Sequence, residues 1–204
     1  MNVECFLIRD NFSGRLHTPV TNLPKLFRKQ ILLDNENLVE IDISQSQPLI
    51  LSKLLYQQVG DNDFTAIIES GEDIYTYFQK AFTLTSREQA KKLFFRVLFS
   101  KSNNKLNVIF NDANWIKWIN RYKRIKVSDN KNTHTKPHSN LAWLLQSTEV
   151  SIMSQIWLEL VKHKISFLTI HDAVLVPESK KVITTHLFNT ILSKHFTTFN
   201  TNTS

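Results

Sequence analysis

Two aspartates, Asp42 and Asp172, occupy the places in this chain best suited to holding a cation. Around the first, Val39, Ile41 and Ile43 alternate with Glu40, Asp42 and Ser44, the pattern of a half-buried strand. Asp42 therefore falls on the polar face near the strand's end. Pro48 suits the first turn of a following helix, which puts the carboxylate at a strand-to-helix junction. An ordinary surface aspartate would look the same. His171-Asp172 separates the apolar run 165–170 from 173–176, and Pro177 closes the second run. A strand, a tight polar turn and a returning strand form a hairpin, and its tip presents the second carboxylate. Arg87, Lys91 and Phe95 recur at every fourth residue, so on a helix they share one narrow face. Two carboxylates can bridge divalent ions about 3.5–4 Å apart. Two cations above a ring can hold a chain of phosphates. Together these are the parts of two-metal phosphoryl transfer. Cations snorkelling over a core ring would give the same helical spacing.

The elements that must position these groups follow from the rest of the chain. It has 204 residues, 42% hydrophobic and 21% charged, which fits one globular domain or a core with an inserted subdomain. The net charge of +7 suits a polyanionic partner, although moderately basic proteins are common. Cys5 is the only cysteine, so internal disulfides and multi-cysteine zinc sites are excluded and a reducing, cytoplasmic location is expected. No apolar run approaches membrane-span length, and no basic stretch precedes a long apolar core at the start, so neither a membrane span nor a signal peptide is expected.

Residues 13–31 read as a basic loop with Gly14, Pro19 and Pro24, then a short helix from about Lys25. Arg15, Lys25, Arg28 and Lys29 there suit phosphate contact or a solvated face. A helix is expected over 48–59, and two more, 64–70 and 73–82, around Gly71. Tyr75, Phe78 and Phe82 share a face that reads as core. Thr85 with Glu88, or Ser86 with Gln89, has capping-box spacing for a helix running to about 100. Over 115–126, Trp115, Trp118 and Tyr122 interleave with Lys117, Arg121, Lys123 and Arg124. That pattern tracks a nucleic-acid backbone or marks an ordinary amphipathic helix. Residues 128–140 read as a polar loop, and Pro137 between His134 and His138 argues against a helical metal pair. The longest helix spans 141–164, with Gln146 and Glu149 near its start. A final helix spans 182–196, and the polar tail after 197 is expected to fray.

Taken in order, these stretches resemble the family A DNA polymerases. Gly14-Arg15-Leu16, Asn22-Leu23 and Asp42-Ile43-Ser44-Gln45 resemble the start of the palm and its motif A. Gly71-Glu72-Asp73-Ile74-Tyr75, then Arg87, Lys91, Phe95 and Phe99, resemble the fingers and motif B. Gln146-Ser147-Thr148 resembles the template-facing glutamine helix, and His171-Asp172 motif C. The resemblance covers roughly residues 13–177 and implies an α+β fold: a palm whose small antiparallel sheet carries the carboxylates, packed by helices, with a helical fingers insertion. The implied division is 1–60 and 140–204 for the palm and 61–139 for the fingers and flexible loop.

The resemblance also implies roles. Asp42 and Asp172 would bind two Mg²⁺ or Mn²⁺ ions, assisted by the Ile43 carbonyl. One ion would activate the primer 3′-hydroxyl, and the other would neutralise the triphosphate. Arg87, Lys91, Phe95, Phe99, Gln47 and Tyr75 would bind the incoming dNTP. Arg15, Asn22, Arg28, Gln146 and His171 would contact the DNA primer-template. There are departures. Gln47 stands for the family glutamate that excludes a ribose 2′-hydroxyl, Ala173 for the glutamate after motif C, and Arg96 and Ser100 for the glycines of the fingers motif. The chain is expected to lack a thumb and an exonuclease, which a second polypeptide could supply. Origin in a phage or mobile element is one expectation. A non-catalytic nucleic-acid-binding remnant is the alternative function. A reverse transcriptase or single-subunit RNA polymerase fits Gln45 and the Arg87/Lys91/Phe95 spacing less well.

Overall fold

The computed structural model describes residues 7–101, 114–125 and 136–204. Of the expected loop, residues 128–135 with His134 lie outside the described residues, as do Cys5 and Lys126. The fold is mixed α+β with small antiparallel sheets. The chain forms two compact units, one containing the residues up to Ser46 together with Ser147–Ser204, the other Gln47–Gln146.

In the first unit, the short strands β1 (Ile8–Arg9) and β2 (Leu16–His17) pair with each other. The main sheet is built around β4 (Glu36–Ile43). On one edge β4 pairs antiparallel with β6 (Ala173–Pro177), which pairs in turn with β5 (Leu168–Ile170). On the other edge it pairs with β3 (Leu32–Leu33) and with β7 (Thr201–Thr203). The alternation read from the sequence holds. Ile41 and Ile43 are buried, while Asp42 between them is half-buried. Val174 and Val176 share the face of Ile41, and the helix Lys181–Leu192 lies against this sheet. The opposite face carries a smaller cluster of Ile170, Ala173 and Leu175, covered by Val20, Leu38 and Leu168.

The hairpin joining β5 and β6 has the expected two-residue turn, Ile170 facing Ala173 across His171-Asp172. His171 takes a positive φ of 48°, which a two-residue hairpin turn requires and which favours glycine or asparagine. The expected strand 165–170 is shorter than its apolar run, because pairing with β6 begins only at Leu168. The tail corrects an expectation outright. Instead of fraying, Thr201–Thr203 adds a strand to β4, and the alternating threonines suit that pairing.

The second unit is helical: α2 (Ser46–Val59, entered at its second residue), α3 (Asp63–Glu69), α4 (Ile74–Ala81), α5 (Arg87–Phe99), α6 (Asn114–Tyr122) and the start of α7 (Asn140–Lys162). Its core is aromatic. Phe64, Tyr75 and Phe78 surround Phe94, with ring centroids 6.2, 5.6 and 5.2 Å away, and Trp115 packs on Phe64 at 5.2 Å. Ser86 is the N-cap of α5, accepting from the Gln89 N–H, while the Gln89 side chain accepts from Thr85.

Lys123 requires a second correction. The sequence puts it among surface cations, yet it is 3% exposed and its Nζ donates to the Val97 carbonyl at 2.7 Å. Burial pushes its pKa down to about 8. It satisfies a carbonyl near the end of α5 and cannot contact a phosphate from there. No helix among the described residues is long and apolar enough to cross a membrane.

Candidate active site

The strands of the first unit bring the two aspartates to neighbouring positions. Asp42 stands across from Ala173, the residue after Asp172, and the Ile43 N–H donates to the Asp172 carbonyl at 3.2 Å. After Ile43 the chain turns sharply, with Gln45 at a φ of 53°, and enters α2 at Ser46.

Both carboxyls are held above the usual aspartate range. For Asp42, burial is the main cause; the charge of Asp172 adds to it, and hydrogen bonding from Asn202 and the charge of Lys25 oppose it. For Asp172, burial again leads, followed by the charge of Glu149, against the Ser46 hydroxyl and the charge of Arg15. Asp42 Oδ1 is buried without a hydrogen-bond partner. Two crowded carboxylates with a bare oxygen fit a divalent cation, whose charge would reverse the cost of ionising both. Among the described residues no group of three or more His, Cys, Asp or Glu side chains is arranged to hold an ion, so a cation here would rest on this pair, with backbone oxygen or water completing its shell.

Three residues of this neighbourhood were not singled out as site residues by sequence reasoning. Glu149, on α7 and 1% exposed, accepts from Ser46 Oγ at 2.8 Å through Oε2. Its Oε1 accepts from Arg15 Nε at 3.0 Å and from Arg15 Nη2. Glu149 is the sole charge in the twenty residues from Ser139 to Leu158, a signal that could have marked it. Ser46 reaches the acids from the first turn of α2, and Asn202 reaches Asp42 from β7. No local pattern announces either.

The residues of the first unit expected to contact nucleic acid are placed as follows. The Arg15 guanidinium is engaged with Glu149. Arg28 and Lys25 each lie 3.9 Å from Glu40, two residues from Asp42 on the same strand face. Asn22 is exposed on the turn Pro19–Asn22. His171 meets His17 edge to face at 5.7 Å, and its Nδ1 is buried without a partner. Burial, then the charge of Arg15, holds its pKa below the usual histidine value.

The second unit brings three of the expected nucleotide residues, Arg87, Lys91 and Phe95, to the ring of a fourth, Tyr75. Tyr75, 3% exposed, underlies the Arg87 guanidinium at 4.9 Å and the Lys91 ammonium at 5.7 Å. Phe95 lies 6.2 Å from Tyr75 and stacks on Phe99 at 5.5 Å. Arg87 also grips the α4 N-cap, with Nε 2.5 Å and Nη2 3.1 Å from the Asp73 oxygens. Burial raises the Asp73 pKa, but the Arg87 and Thr76 bonds outweigh it and leave it lowered. Tyr75 therefore supports the cations from below. Gln47 is buried in the first turn of α2, and Gln146 is half-buried on α7.

No family model and no curated protein matches the chain. Among solved structures it is similar to the POL domain of Pol1 from M. smegmatis, in complex with DNA primer-template and dNTP. The TM-score is 0.72 at 12% identity, with 99% of this chain and 47% of that chain covered. The chain thus spans about half the length of that neighbour, and the likeness is one of fold: a polymerase palm-like arrangement of helices and small antiparallel sheets.

Proposed function

We propose that this chain is a template-directed nucleotidyltransferase of the family A polymerase type, extending a primer 3′-hydroxyl with dNTPs. One observation carries the reading: strand pairing sets Asp42 beside Asp172, with both carboxyls pushed up and a bare Asp42 oxygen buried. In this reading 1–60 and 140–204 act as palm and 61–139 as fingers. Asp42 and Asp172, with the Ile43 carbonyl, would hold two divalent ions, Mg²⁺ or Mn²⁺, which would supply neutralisation of phosphate charge and a lowered pKa at the attacking hydroxyl. Arg87 and Lys91 orient the triphosphate, steadied by Tyr75 beneath them. Phe95 and Phe99 pack against the sugar and nascent base pair, and Gln47 meets the sugar edge. Asn22, Arg28, Gln146 and His171 contact primer-template, and Arg15 does so once it shares its guanidinium with Glu149.

A second reading, nucleic-acid binding without catalysis, draws on Ala173, which stands in a buried apolar cluster beside Asp172 and offers no further ligand. Primer extension on defined DNA and RNA templates with Mg²⁺ or Mn²⁺ separates the two, comparing wild type with Asp172→Asn. Metal-dependent extension lost in the variant supports the enzyme. Salt-sensitive binding by both proteins, with extension by neither, supports the binder.

A further inference from the structure

Beside Asp42 runs a strand that the proposed chemistry leaves unused. β7 pairs with β4 so that Thr203 faces Ile41, Asn202 faces Asp42 and Thr201 faces Ile43. Backbone bonds extend the pairing on both sides. The Ser44 N–H donates to the Asn200 carbonyl at 2.9 Å, and Glu40 and Ser204 exchange bonds of 3.0 and 3.1 Å. Asp42 thus has Ala173 on its β6 side and Asn202 on its β7 side. Residues directly opposite in an antiparallel pair project to the same face, with Cβ atoms about 4.5–5.5 Å apart. Ala173 has no polar group to offer the carboxylate. Asn202 has an amide that donates, and the register sets it directly opposite the carboxylate.

The arrangement meets a physical need. Two carboxylates that repel each other tend to turn apart, and a metal site requires that they do not. A donor on the edge of β4 away from Asp172 can keep the Asp42 side chain in one orientation while Oδ1 stays bare. We propose that Asn202 is a positioning residue for Asp42, its amide steadying the carboxylate so that Oδ1 is presented to a divalent cation. This rests on the reading of Asp42 and Asp172 as the metal-binding pair. The partners that orient metal ligands commonly matter about 10- to 100-fold in metal affinity.

The test is Mn²⁺ binding to the full chain, read from the paramagnetic resonance signal of free Mn²⁺, alongside thermal melting. The proteins are wild type, N202A, N202S, T203A and D42N. Asn202→Ala is expected to weaken Mn²⁺ about tenfold, and Asn202→Ser, which keeps a short donor, to recover part of that loss. Thr203→Ala, which changes the same strand opposite Ile41, is expected to bind as wild type does. If Asn202→Ala binds Mn²⁺ normally while Asp42→Asn does not, the role of Asn202 is overturned and the metal reading stands. Equal losses in Asn202→Ala and Thr203→Ala, with lowered Tm in both, assign the effect to strand pairing and overturn it as well. If Asp42→Asn leaves Mn²⁺ binding unchanged, the metal reading falls and the positioning role falls with it.

Discussion

The carboxylates of the first unit and the cations of the second are handled in opposite ways. Asp42 and Asp172 are crowded by burial and by acidic neighbours, and their pKa values rise accordingly. Arg87 already has a carboxylate partner in Asp73 and a ring beneath it, and its pKa rises because its charged form is favoured. A cation bound beside the first pair would offset the cost of ionising both carboxyls. In the second, Arg87 is already bonded to Asp73, and a polyanion binding there would have to share it. If the proposed roles hold, stability and function would pull apart at the acids and run together at the cations.

The largest effect is expected at the acids. Asp172→Asn or Asp42→Asn should lower primer extension on the order of a thousandfold or more, since several kcal/mol of charge stabilisation is removed. The same variants should melt at a higher temperature than wild type in chelator, because each deletes a buried charge. The sign follows from linkage. A carboxyl whose folded pKa is raised costs stability when ionised, and the cost disappears as pH falls below the unfolded value of 3.8. The gap in Tm should thus be widest near neutral pH and close on acidification. A gap that stays constant with pH would break the comparison.

Next come the cations. Arg87→Ala and Lys91→Ala should each raise the dNTP KM by about tenfold or more, the worth of a charge-assisted hydrogen bond. Melting should change little for Arg87→Ala, since the pair with Asp73 is half-exposed and such pairs contribute roughly 0–1 kcal/mol. A large loss of stability with an unchanged KM would make this pair structural only.

The smallest effect is expected at Gln47. Its amide nearly keeps the volume of the glutamate that the resemblance places at this position but can donate to a ribose 2′-hydroxyl. Gln47→Glu should sharpen selection for deoxynucleotides several-fold, about the worth of one hydrogen bond, and Gln47→Ala should relax it. Steady-state incorporation of matched dNTP and rNTP is the measurement. An unchanged ratio in Gln47→Ala removes this residue from the sugar site.

Much of the scaffold was readable from local pattern. Alternation over 39–43, the hairpin at 171–172, the spacing of Arg87, Lys91 and Phe95 and the stripe of Tyr75 and Phe78 each lie within one element. Backbone periodicity alone assigns faces there. Lys123 was misread because its amphipathic neighbours gave it a solvent-facing place, while the Val97 carbonyl that receives it belongs to another helix. Ser46 and Glu149 are 103 positions apart, and Asn202 reaches Asp42 from the far end of the chain. Such meetings depend on which strand edges and helix faces are left to pair once the core has formed. A window of ten or twenty residues encodes faces and turns; it holds no information about which distant edge will close over an aspartate.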